Sequence, residues 1–469
     1  MFTFDGKSIT NGFHLLWLTV LIIFGSIFKF FTVSLIDISQ ISLLIQLIIF
    51  YLSINKWNKI FSTSLIDKLI VISVHLLFLP YFLNGMETGL TIFLLNIYLL
   101  DFVYNKKQLK NTWLMLLIFF ARYDSVIIIF LVSLFSAFKN KSFTVLKHFA
   151  TIFIIFIILL SIFNYSIGFD FNTFSTSSTV KQLWSQLDYS DQINSCEIKN
   201  INCYGFVIKD RLDFVPKYMA NMNKLSFSLI DYTSAYNSGG QLPVNRFFSF
   251  SLIIIFIIIF NFSKKTNLKK DLINSLWLIG VAHLALISLR SHLSLTHDWY
   301  NYFLIFIYMI TLIEVFKNFN KSIIYAFFVF ILINSSIFIF SDRSEWSKIY
   351  GETVDFLNEY DESVVGTWAA GHIGYYSSNR VVNLEGLVGD QEIIKANQFN
   401  NLDKYILENI DLIFVNFDPF EENLNWFMRL RSAPLIKIQD NLTIVNVNKR
   451  FDGQNMYIFQ VVTKNGASK

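Results

Sequence analysis

The sequence predicts an α-helical polytopic membrane domain of about 9 to 11 membrane segments, one of them a broken hairpin, followed by a small extracytoplasmic α/β domain. Three observations predict it. The 469 residues are 54% apolar, include 52 Phe and are only 15% charged, a composition of the membrane class. Apolar stretches long enough to cross about 30 Å of hydrocarbon recur near 13–35, 38–55, 62–83, 86–104, 144–167, 247–262, 271–290, 299–316 and 322–340. From about 341 the composition shifts to that of a soluble α/β unit, so the expected division is a multi-spanning domain over 1–340 and a soluble one over 341–469.

Lysines orient the spans. They cluster at Lys56 and Lys59, at Lys106, Lys107 and Lys110, at Lys139 and Lys141, at Lys264, Lys265, Lys269 and Lys270, and at Lys317 and Lys321. By the positive-inside rule these junctions face the cytoplasm, which puts the "NGMET" turn, a large loop at 168–245 and everything after 340 outside. The net charge of +4 is small for the length and its lysines sit beside apolar runs, so no nucleic-acid partner is expected and membrane lipids are. The opening "MFTFDGKSITNGF" has neither a basic leader nor a small-residue cleavage site, so no cleavable signal peptide is expected.

The stretch 112–138 carries lysines on both flanks and therefore enters and leaves on one side. That predicts two half-helices, broken near "FFARYDSV", where Arg122 and Asp124 would otherwise sit in lipid at a cost of several kcal/mol. The other reading is an ordinary helix with an internal ion pair. Cys196 and Cys203 lie in the outer loop, and two otherwise lone cysteines in a short ring suggest a disulfide in an oxidising compartment; a pair of unbridged thiols is the other reading.

Beyond 341 an amphipathic helix, "SEWSKIYGETVDFLNEY", precedes a strand at "SVVGTW". Further strands are expected at "RVVNLEG", "DLIFVNF", "LIKIQ", "LTIVNV" and "MYIFQVV", with helices around 390–410 and a tight turn at "QDN". About 130 residues can bury a core of their own.

"DGKSITNGFHLLWLTVL", "NGMETGL", "LIFFARYDSV" and "GTWAAGHIGYYSSNRVVNLEGLVGD" follow one another along the chain. Together they resemble the pattern of bacterial polytopic glycosyltransferases of the GT-C superfamily, with arabinofuranosyltransferase-like and lipopolysaccharide-core-transferase-like members nearest. The resemblance covers nearly the whole chain. It implies an inverting transferase in the bacterial cytoplasmic membrane that moves sugar from a polyprenyl-phosphate donor to a glycan, lipid or protein acceptor at the outer face. No cofactor is implied with certainty, a divalent cation being the one candidate. The pattern departs from the family at the start. Members generally carry an acidic residue, the presumed base, in a first outer loop, whereas Asp5 is the only acidic residue before position 35 here. The expectation is an incomplete N-terminus or a chain that has lost activity, and no catalytic residue is assigned.

A transferase of this kind must hold a phosphate, activate a hydroxyl with a base and exclude water. The candidate binding residues are Glu87, Arg122, Asp124, Arg290, His292 and Asp298 in the helical part, and His372, Asn383, Glu385 and Asp390 in the soluble part. Arg122 would hold either the donor phosphate or the Glu87 carboxylate. Each has a plainer reading. Glu87 suits a helix N-terminus, which favours a carboxylate by about 0.3–1 kcal/mol. Arg290 reads also as an interface anchor, His292 as a solvated loop residue and Asp298 as a helix cap. The glycines of "AGHIG" read as helix-on-strand packing as well as an anion site. The competing function is non-enzymatic, a transporter or flippase of lipid-linked sugars or a glycan-binding pseudoenzyme, although the apolar segments show no internal repeat of the transporter kind.

Overall fold

The computed structural model describes residues 14–30, 38–83, 87–104, 112–167, 257–261, 270–290, 302–340, 344–360, 362–368, 373–374, 377–384, 391–398, 401–421, 426–449 and 455–462. They fall in two compact units, divided at Ser341 and Asp342 and again within α8 at Ile158 and Leu159, so that α8 is described with the helical unit that holds its larger part.

The first unit is helical. Its elements are α1 (Leu15–Phe30), α2 (Ile38–Phe61), α3 (Leu65–Leu77), α4 (Leu79–Phe82), α5 (Thr88–Tyr104), α6 (Thr112–Ala121), α7 (Ser125–Asn140), α8 (Thr144–Ser166), α9 (Lys270–Arg290), α10 (Tyr302–Phe316) and α11 (Lys321–Phe340). At its centre lies α10, every residue of which is buried. It packs on α3, α5 and α9. A helix apolar on all sides must be covered on all sides, and here helices of the chain do much of the covering: Phe306 meets the Trp57 ring edge-on at 5.8 Å, and Tyr308 meets Phe78 at 5.9 Å. Gly280 lets α9 approach α10, since a Cβ there would come within 2.7 Å of Leu304 Cδ2.

The count of membrane segments is corrected. Among the described residues two helices, Gln40–Phe61 and Thr144–Ser166, of 22 and 23 residues, are long and apolar enough to cross a membrane, not 9 to 11. The other apolar stretches described are shorter, 10–17 residues, among them Ile273–His283 within α9 and Lys321–Ile333 within α11, where a span needs about 20. Two of the expected runs are cut by the backbone. The 62–83 run turns at Phe78, between α3 and the four residues of α4, with Pro80 in the first turn of α4. The 112–138 run breaks at Arg122–Asp124 into α6 and α7, which pack on each other. A third, α10, is apolar because protein surrounds it. On α8, by contrast, Ile154, Ile158 and Ile162 are all more than half exposed and share one face.

A capping box starts α3. Ser64 Oγ accepts from the Asp67 amide (3.2 Å), and Asp67 Oδ2 accepts from the Ser64 amide (2.9 Å), the Thr63 amide (2.9 Å) and the Thr63 hydroxyl (2.8 Å). Partial burial pushes the Asp67 carboxyl up, but these donors together outweigh it and hold the group below its ordinary value. A carboxyl depressed in the folded state adds stability above its unfolded pKa of about 3.9 and loses it as pH falls below that. Amide exchange in the first turn of α3 is therefore expected to lose protection as pH falls below about 4, and Asp67→Asn is expected to flatten that dependence. An unchanged profile in the variant contradicts the cap.

The second unit is a three-layer α/β structure. It begins with α12 (Ser344–Asn358) and continues through β1 (Val364–Thr367), β2 (Arg380–Asn383), α13 (Gln391–Gln398), α14 (Leu402–Asn409), β3 (Leu412–Val415), α15 (Trp426–Lys437), β4 (Leu442–Lys449) and β5 (Asn455–Val461). The sheet order is β2-β1-β3-β5-β4. β1 runs parallel to β2 and β3, and β5 runs antiparallel to both β3 and β4. Alternation sorts the side chains: Ile413 and Val415 join one core with Leu402, Ile406 and Leu435, while Leu412 and Phe414 join the other with Val354 and Leu357. The expected strand at "LIKIQ" is wrong. Leu435, Ile436 and Lys437 close α15 instead, because Leu435 is needed against α14 and the sheet while Ile436 is left more than half exposed. The tight turn at "QDN" is a single turn of 3-10 helix, Gln439–Asn441, leading into β4.

Candidate functional site

Polar groups converge where α5 begins and where α6 gives way to α7. Glu87 stands at the head of α5, its carbonyl accepting from the Thr91 amide (2.9 Å) and the Thr91 hydroxyl (3.0 Å). Gly89 permits this placement against α4, since a Cβ at that position would lie 2.8 Å from the Phe82 carbonyl oxygen. Arg122 ends α6, donating its amide to the Ile118 carbonyl (2.9 Å). Asp124 stands at the N-cap of α7 without capping it, so its carboxylate is free to turn elsewhere. Ser125 steadies the break from within: its hydroxyl reaches the Arg122 carbonyl (2.5 Å) and the Ile118 carbonyl (3.1 Å).

The side chains meet around one guanidinium. Arg122 donates from Nη1 to Glu87 Oε1 at 3.3 Å and from Nε to Asp124 Oδ1 at 3.0 Å. Arg122 is 2% exposed and Glu87 4%. The guanidinium carbon lies 4.8 Å from the centre of the Tyr302 ring, a cation–π placement. His14 brings Nε2 to 3.3 Å from Glu87 Oε1 and sets its ring edge-on to Tyr123 at 5.3 Å. On α9, His283 is fully buried, edge-on to Tyr302 at 5.8 Å and to Phe303 at 6.3 Å. One positive group thus faces two carboxylates, with two imidazoles at the rim of the cluster.

The broken run is therefore present as a break in the chain, and the internal ion pair offered as the other reading is present with it: Arg122 and Asp124 are bonded to each other across the break. Burial makes the arrangement costly to disturb, because either charge left alone would be stranded out of water. Glu87 is more than a helix-end charge, since its carboxylate is turned onto Arg122 and His14. The Glu87 carboxylate, one of the partners expected for Arg122, lies on it.

Two of the other expected site residues are among those described. Arg290 is the last residue of α9. Asn383 belongs to the α/β unit, where it ends β2 opposite Thr367 of β1 and is 7% exposed. His292, Asp298, His372, Glu385, Asp390, Cys196 and Cys203 lie outside the described residues, as does the loop at 168–245. Among the described residues no group of three or more His, Cys, Asp or Glu is arranged to hold a metal ion. Sequence reasoning missed His14, His283 and Tyr302. His283 left a signal, a lone polar group inside an otherwise apolar run; Tyr302 and His14 left none that separates them from ordinary aromatic and loop residues.

Fold and site define the class of protein: a helical unit with two helices able to cross a membrane and a buried ionic cluster, joined in sequence to a three-layer α/β unit. Residues 339–459 match a family model described as a domain of unknown function (DUF8728). No curated protein and no solved structure matches the chain.

Proposed function

We propose that the chain is a glycosyltransferase of the bacterial cytoplasmic membrane that moves sugar from a polyprenyl-phosphate donor to a glycan, lipid or protein acceptor, working at the outer face with its α/β unit on that side. The observation that carries this reading is the joining of two of the motifs behind the family resemblance: Arg122 of "ARYD" is hydrogen-bonded to Glu87 of "NGMET" and to Asp124 within its own motif. In the transfer, the acceptor oxygen bonds to the anomeric carbon as the bond from that carbon to the phosphate oxygen breaks. The hydroxyl proton passes to a carboxylate, and polyprenyl phosphate leaves. General-base help of this kind contributes about 10²–10⁴-fold, and it needs a carboxylate kept out of bulk water so that hydrolysis does not compete. Glu87 and Asp124 meet that need, with Arg122 as the positioning residue between them.

The test is sugar transfer from a polyprenyl-phosphate donor in membranes carrying equal amounts of each variant. Glu87→Gln keeps the shape and removes the charge, and Asp124 still neutralises Arg122. Transfer is expected to fall about tenfold or more, equivalent to about 1.4 kcal/mol of transition-state stabilisation. A helix-end role is limited to about 1 kcal/mol of folding stability and would leave transfer nearly unchanged. Normal transfer by both Glu87→Gln and Asp124→Asn removes the cluster from the mechanism.

A further inference from the structure

We infer that Asp124 and His283 together form a subsite for a neutral hydroxyl-bearing ligand, and that this subsite rejects phosphate. The first ground is a pair of unmet hydrogen-bonding demands. Asp124 spends Oδ1 on Arg122, while its Oδ2 is out of contact with water and makes no hydrogen bond among the described residues. The same holds for both ring nitrogens of His283. A buried polar atom left without a partner costs about 1–3 kcal/mol, so three of them in one neighbourhood call for something that satisfies them.

The second ground is that they share a neighbourhood. His283 and the Arg122 guanidinium both lie against the Tyr302 ring, at 5.8 Å and 4.8 Å from its centre, and Asp124 is bonded to that guanidinium. Asp124 and His283 come from the N-cap of α7 and from α9, two helices that pack on each other.

The chemistry of the open atoms selects the ligand. A carboxylate oxygen only accepts; a neutral imidazole offers one donor and one acceptor. A cation would satisfy the carboxylate and leave the imidazole N–H without a partner. An anion would meet an Arg122 already engaged by Glu87 and Asp124, and two carboxylates against one guanidinium repel further negative charge. A hydroxyl donates to Asp124 Oδ2 while its oxygen accepts from the His283 N–H, and a second hydroxyl farther along the same ligand, on the other side of the ring, donates to the remaining ring nitrogen. The inference rests on the transferase reading only where it calls this ligand the acceptor; the subsite itself follows from the unpaired atoms.

The probes are methyl β-glucoside, methyl α-mannoside and ribitol, compared with inorganic phosphate, against the whole chain in lauryldimethylamine oxide, a detergent with neither sugar nor phosphate. At least one of the three polyols is expected to raise the melting temperature, and phosphate is not. His283→Phe fills the space with an apolar ring and removes two of the three unmet demands, so the ligand-free variant is expected to melt at or above the wild-type temperature while its polyol response is lost, with Kd weakened about tenfold or more. His283→Gln keeps a donor and an acceptor and is expected to retain part of the response, which covers the case of a Phe variant that does not fold. A polyol response that survives in both variants, an equal response to phosphate, or no response of the wild-type chain to any of the three polyols overturns the inference. Polyol binding without sugar transfer overturns the transferase reading alone, and transfer by His283→Phe with unchanged KM for the acceptor overturns the subsite alone.

Discussion

Arg122→Ala is expected to destabilise the helical unit by about 3–5 kcal/mol, because it removes the guanidinium from between two carboxylates and leaves them facing each other out of water. Glu87 and Arg122 are 4% and 2% exposed, so solvent cannot take over the lost partner. Arg122→Lys retains the charge but not the fork: Nη1 and Nε reach Glu87 and Asp124 at once, and a lysine ammonium on a flexible stem does not reproduce that bidentate geometry. It should fall between wild type and alanine. The decisive comparison is the triple change Arg122→Met, Glu87→Gln, Asp124→Asn, which leaves no charge stranded and should recover most of the stability lost in Arg122→Ala. Thermal unfolding of the four proteins in one detergent reads the order. Equal melting temperatures for wild type and Arg122→Ala would show that the cluster is solvated and the ionic account wrong.

The next largest effect is expected in α10. Phe306 is fully buried and packed edge-on against Trp57, so Phe306→Ala should cost about 3–5 kcal/mol in lost transfer energy and cavity. Ile333 on α11 is 54% exposed, and Ile333→Ala should change stability by no more than about 0.5 kcal/mol. The two substitutions have similar hydropathy signatures in the sequence and opposite surroundings in the fold. If Phe306→Ala melts like Ile333→Ala, α10 is not enclosed by its neighbours and the correction to the membrane count loses its physical basis.

That contrast shows where sequence reading stops. An apolar run records that a segment avoids water, and it does so equally for lipid and for protein, so "YFLIFIYMITLIEVF" reads as a span although α10 is covered on every face. Breaks were more legible. Charges inside an apolar run located the interruption at Arg122 and Asp124, because a backbone turn is the cheapest way to bring two such groups together and out of lipid. In the α/β unit, period-two alternation and the turn residues placed β1, β2, β3, β4 and β5. "LIKIQ" failed because four or five residues of mixed polarity suit a strand and a final helical turn alike, and only the packing of Leu435 decides between them.

The candidate site divides the same way. By itself the sequence determined that Glu87, Arg122 and Asp124 had to be dealt with, since isolated charges among apolar neighbours must pair or reach water. It did not determine how. Which carboxylate Arg122 takes, that Tyr302 lies beneath its guanidinium, and that His14 and His283 flank the pair are set by the crossings of α1, α5, α7, α9 and α10, residues separated by up to hundreds of positions. Local rules extend over a helical turn or a strand pair; the meeting of distant side chains depends on how helices pack, and steric fits such as those at Gly89 and Gly280 fix it only once the neighbours are in place.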